Sequence, residues 1–85
     1  MLSKERIEQL VGFEIRKETF YNVAFRYDYE GKLEMTLQGK EAEYPTNTSD
    51  FAIEYEDEPE HTHKLKTFVK DNVEIRIILT HLGGE

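Results

Sequence analysis

Two groups of side chains in this 85-residue chain have the type and spacing to do chemistry. The first is a run of carboxylates. Residues 41–60 hold Glu41, Glu43, Asp50, Glu54, Glu56, Asp57, Glu58 and Glu60, and no Lys, Arg or His. The second is a set of three imidazoles, His61, His63 and His81. On a strand, His61 and His63 share a face, because side chains two apart point the same way. His81 approaches them if residues 63–70 and 73–80 pair through a turn at Asp71-Asn72. Three imidazoles suit zinc, but the spacing specifies no fourth ligand, so the histidines stand as weak metal candidates. Glu56, Asp57, Glu58 and Glu60 offer hard oxygens, yet no glycine provides the sharp turn a calcium loop uses. No metal or other cofactor is expected.

The carboxylates dominate the charge balance. The net charge is −7, from 11 basic and 18 acidic residues. Residues 41–60 carry −8, while the other 65 hold 11 basic and 10 acidic side chains and come to +1. Like charges at this density repel and destabilise a compact fold, so solubility alone is a modest return on them. On a strand, Glu54 and Glu56 stand about 6.7 Å apart, where one DNA strand carries a phosphate every ~3.4 Å. Acids from neighbouring segments would close much of that difference. Such a row offers a protein that grips nucleic acid a surface of the right sign. Tyr44, Phe51 and Tyr55 are interleaved with the acids, and any that are exposed would anchor the contact.

Other chemistries find little support. The chain has no cysteine, so thiolate catalysis, thiolate metal sites and disulfides are excluded. Ser3 reads as a helix cap and Ser49 as a loop residue, and nothing strained presents either as a nucleophile. No glycine-rich phosphate loop occurs. Arg26, Tyr27 and Tyr29 could stack on single-stranded nucleic acid, but a net charge of −7 opposes a phosphate backbone. No apolar run approaches the ~18 residues that span a bilayer. The start, MLSKERIEQL, mixes charges where a signal peptide would be apolar, so a cytoplasmic location is expected.

The elements that must position these groups follow from periodicity. Ser3 is suited to cap a helix over 4–11, with Leu2 and Ile7 at hydrophobic-staple spacing and Gly12 as the stop. Ile7, Leu10 and Val11 give that helix one apolar stripe. Strand alternation begins at Phe13 and Ile15. It continues with Tyr21, Val23, Phe25, Tyr27 and Tyr29, a row that reads as core-facing. Residues 21–29 and 33–38 form a hairpin across Glu30-Gly31-Lys32. Residues 45–50 are a loop, residues 51–56 a strand closed by Pro59, and residues 63–70 and 73–80 a hairpin. Ile78 and Leu82 make the last strand apolar on both faces, which marks it as central or helix-covered. Gly83-Gly84-Glu85 reads as a frayed tail.

The expected architecture is a single α+β domain, 1–85. A short N-terminal helix packs on a five- to six-stranded antiparallel meander, either open or curled into a small barrel. That order, one helix and then strands, resembles Sm-like small barrels, although the Asp/Asn and Gly signatures of that family are missing. In size and composition the chain resembles DNA-mimic inhibitors of phages and mobile elements. The functional expectation is a non-enzymatic inhibitor or adaptor with an anti-defence role. It would dock Glu41, Glu43, Asp50, Glu54, Tyr55, Glu56, Asp57, Glu58 and Glu60 on the basic surface of a nuclease or defence complex. The alternative is an assembly domain that forms homo-oligomers by sheet-edge pairing.

Overall fold

The computed structural model describes residues 3–58 and 61–82; the side chains of 55–58, 61 and 82 lie outside that description. The proposed Leu2 staple, Pro59, Glu60 and the tail at 83–85 fall outside it as well. Helix α1 runs Lys4–Val11. Ser3 caps it, its side chain accepting from Arg6 N at 3.1 Å, and Gly12 ends it in the left-handed conformation at φ 87°. The apolar stripe does what its spacing requires: Ile7 and Leu10 are buried and Val11 packs beside them.

The strands are β1 (Phe20–Tyr27), β2 (Leu33–Lys40), β3 (Ala52–Glu58), β4 (His61–Lys70) and β5 (Val73–Leu82). They form one sheet in the order β1-β2-β5-β4-β3. The sheet is mixed: β2 and β5 are parallel, from Leu33 opposite Val73 to Lys40 opposite Thr80, and the other pairs are antiparallel. The sheet is open, with β1 and β3 at opposite edges. The all-antiparallel meander, the sixth strand and the barrel are therefore corrected. Residues 41–51 lead the chain away from β2 to the far edge. The β3-β4-β5 meander then returns inward, so β5 meets β2 running the same way. A parallel pair needs a connection of a dozen residues or more, and residues 41–72 supply it.

Strand β5 lies at the centre of the sheet, as its two apolar faces anticipated. Val73, Ile75, Ile77 and Leu79 meet Met35 and Leu37 of β2 beneath Ile7 and Leu10 of α1. Fully burying one such side chain stabilises by about 1.5–3 kcal/mol. Residues 13–19 are not a strand. Ile15 N donates to Glu8 Oε2 at 2.8 Å, and Thr19 N and Phe20 N both donate to Arg16 O. Phe13 and Ile15 pack on the core from this irregular segment. Phe13, Phe20, Tyr44 and Phe51 close one end of the core, with ring centroids 5.2–6.4 Å apart.

Two turns follow their local chemistry. Asp71 and Asn72 take φ 53° and 64°, the conformation of a two-residue hairpin turn that Asn and Asp tolerate. In the β1–β2 loop, Asp28 Oδ1 accepts from Glu30 N and Lys32 N, each at 2.8 Å. Strand β1 consequently stops at Tyr27, and Tyr29 stands in the loop, 97% exposed.

The core-facing row expected along Tyr21–Tyr29 is also corrected. Val23, Phe25 and Tyr27 pair with Leu37, Met35 and Leu33, so they do lie on the helix side. An eight-residue helix does not reach across to the edge strand, and Tyr27 is 70% exposed. Tyr21 sits at a register shift between Phe20 and Asn22 and is 62% exposed.

Candidate acidic docking site

The turn at Asp71-Asn72 sets Lys70 opposite Val73, and that register runs up both strands. Lys64, Lys66 and Phe68 therefore share a face with Leu79, Ile77 and Ile75. One flank of the core is built from lysine stems. Lysine can serve there because its methylenes cover apolar surface while the ammonium reaches outward. Lys66 Nζ lies 5.7 Å from the ring centres of both Phe51 and Phe68 and 2.8 Å from Asp50 Oδ2. Alternation along 63–70 shows the two faces but not which of them is inward.

These lysines divide the acidic run. Glu41 opens a 3-10 turn, Glu41–Glu43, and its side chain is only 13% exposed. Its Oε1 accepts from Lys64 Nζ at 2.8 Å and from Thr48 Oγ1 at 2.5 Å. Its Oε2 lies 2.7 Å from His81 Nδ1, which gives this buried oxygen a partner whenever Nδ1 carries a proton. Burial by itself would raise the Glu41 pKa. The hydrogen bonds from Lys64 and Thr48, and the charges of Lys64 and His81, outweigh it and hold the carboxyl below its usual range. Glu41 is thus an internal tie between the turn and the sheet. Asp50 is exposed and paired with Lys66, whose hydrogen bond lowers its pKa against a weaker opposing effect of burial.

The remaining acids sit elsewhere. Glu43 is exposed, and its carbonyl accepts from Thr19 Oγ1 at 3.0 Å. Glu54 is exposed on β3, the outermost strand, whose single neighbour in the sheet is β4. Tyr55, Glu56, Asp57 and Glu58 continue that strand, paired through its backbone with β4. Their side chains, and Glu60 as a whole, lie outside the described residues. Of the aromatic anchors, Tyr44 and Phe51 are committed to the core, and Phe51 is 8% exposed. Burial raises the pKa of the Tyr44 phenol, against smaller effects of a hydrogen bond with Thr46 and the charge of Lys66.

The histidines do not converge as expected. His63 pairs with Thr80, and His81 pairs with Thr62. Neighbouring positions along a strand point to opposite faces, so His63 and His81 lie on opposite sides of the sheet. His61 pairs with Leu82, with its side chain outside the described residues. Among the described residues, no three His, Asp or Glu side chains are placed to hold a metal ion. No helix there is long and apolar enough to cross a membrane. Comparison with protein families, with curated proteins and with solved structures finds no match to this chain.

Proposed function

We propose that the chain is a non-enzymatic interaction module. It docks the acidic edge formed by β3 on the basic, nucleic-acid-binding surface of a larger cytoplasmic protein. The observation that carries this reading is the position of Glu54, Glu56, Asp57 and Glu58. All four fall on the outermost strand of a five-stranded sheet, while the lysines of the neighbouring strand, Lys64 and Lys66, are paired with Glu41 and Asp50. Pairing with β4 holds the backbone of these residues, and the register shifts at Ile53/Tyr55 and Glu56/Glu58 spread the acids along the edge instead of setting them in one alternating row. A backbone already ordered limits the entropy lost on binding. The field of the acids also speeds encounter with a basic cleft. Binding there would exclude nucleic acid by occupancy and charge, the action of a phage or mobile-element DNA mimic that blocks a nuclease or a defence complex.

The test uses the immobilised chain. A lysate protein is captured, eluted with a salt gradient and assayed for DNA binding with and without the free chain. Loss of that protein's DNA binding, and release as salt rises, are the expected results. The quadruple variant Glu54→Gln, Glu56→Gln, Asp57→Asn, Glu58→Gln should retain native circular dichroism and lose capture. Undiminished capture by the folded variant refutes the proposal.

A further inference from the structure

The two sheet edges are built differently. Strand β3 carries four acids over its seven residues, and its register shifts twice, at Ile53/Tyr55 and at Glu56/Glu58. Charge and bulges are the devices that keep an edge from pairing with another strand. Strand β1 (FYNVAFRY) has no bulge beyond Asn22 and only one charge. Its one register shift lies between Phe20 and Asn22, and its single charge, Arg26, is already hydrogen-bonded to Glu34. From Asn22 to Tyr27 it is regular, rich in strand-forming residues and free of proline. Among the described residues, no strand pairs with its outer side. Tyr21 is 62%, Phe25 37% and Tyr27 70% exposed there.

We infer that β1 is a self-association edge: two copies of the chain pair β1 to β1, antiparallel about a twofold axis near Ala24 and Phe25, into one continuous ten-stranded sheet. The occupant follows from charge and geometry. The molecule carries −7, yet β1 itself holds no carboxylate, and Glu34, the acid across from it on β2, is already paired with Arg26. The acidic strand β3 is four strand spacings away, about 19 Å, beyond the ~8 Å screening length at physiological salt. The two acidic edges of the dimer then stand at its far ends. An antiparallel pairing that preserves the faces of the sheet sets odd residues opposite odd ones. Val23, Phe25 and Tyr27 of both copies therefore continue one apolar row, and aromatic and β-branched cross-strand pairs are the stabilising kind. Arg26 meets only Asn22 or Ala24, both uncharged, across the twofold. This inference does not depend on docking by β3, which uses the opposite edge.

Sedimentation equilibrium of the 85-residue chain, from about 1 to 500 µM, tests it. A monomer–dimer equilibrium is expected, unchanged or strengthened as salt is raised, since there is only like-charge repulsion to screen. Ala24→Lys places like charges across the seam and should weaken the dimer at least tenfold with circular dichroism intact. Ala24→Lys mixed with Ala24→Glu should recover a heterodimer. The control Ala52→Lys, an exposed position on β3, should leave dimerisation unchanged. A chain that stays monomeric throughout overturns the inference. So does a dimer broken by Ala52→Lys and indifferent to Ala24→Lys, or a monomer that instead binds oligothymidylate through the exposed tyrosines.

Discussion

Lys64 Nζ lies 2.8 Å from Glu41 Oε1, and the two side chains are 26% and 13% exposed. Glu41 follows the end of β2 and Lys64 belongs to β4, which is separated from β2 in the sheet by β5. The pair ties the start of the long connection to the far side of the central strand. That connection is what makes β2 and β5 parallel, so the contact secures the least local feature of the topology.

Removing either partner should destabilise the fold. Lys64→Met leaves a largely buried carboxylate without its cation, and Glu41→Gln removes the charge on which Lys64 and Thr48 converge. Each change should cost about 2 kcal/mol. The double variant should cost less than the two added together, with a coupling of about 1 kcal/mol or more. Urea denaturation of the four proteins measures it, and strict additivity would show that the pair contributes nothing.

Stability should form a plateau in pH with two limbs of opposite sign. Glu41 and Asp50 titrate lower in the folded chain than ordinary carboxyls. Their contribution is complete above the unfolded value, about 4, and is lost as the pH falls through the folded values. Asp50 is exposed, so its share should shrink with added salt. Tyr44 is raised by burial, so its contribution is complete below about 10 and is lost as the pH rises through its folded value. Thermal unfolding across pH should show both limbs. Glu41→Gln should flatten the acid one, and an unaltered acid limb in that variant would contradict the assignment.

Gly39→Ala should be among the most damaging single changes. Gly39 pairs with Phe20 at the start of the β1–β2 ladder. A Cβ built there would sit 2.1 Å from Thr19 O, a backbone atom that accepts from Lys40 N. Neither strand can move aside without losing that ladder, so a loss of about 3 kcal/mol or more is expected. Chemical denaturation reads it directly, and a change below about 1 kcal/mol would mean the two strands separate there at little cost.

Much of the local structure is legible in the residues. Ser3 and Gly12 bound the helix because a cap side chain and a left-handed residue are chemical requirements met within one turn of chain. Asp71-Asn72 marks its hairpin for the same reason, since few residues accept positive φ at two successive positions. Strand β5 announces its central place through Ile78, an apolar residue on the face away from α1. The acidic run at 41–60 is equally plain, as is its division from the near-neutral remainder.

What the residues do not carry is how strands far apart in the chain meet. Period-2 alternation is the same in parallel and antiparallel pairs, so β2 beside β5 comes only from where residues 41–51 lead the chain. Alternation also leaves open which face turns inward. Lys64 and Lys66 face the core side because the register set at Asp71-Asn72 places them opposite Leu79 and Ile77, and that same placement takes Glu41 and Asp50 out of the anionic surface. The reach of α1 decides the rest. Eight residues cover the middle of the sheet, and the tyrosines of β1, whose spacing is that of a buried face, are left in solvent because, among the described residues, no element reaches far enough to cover them.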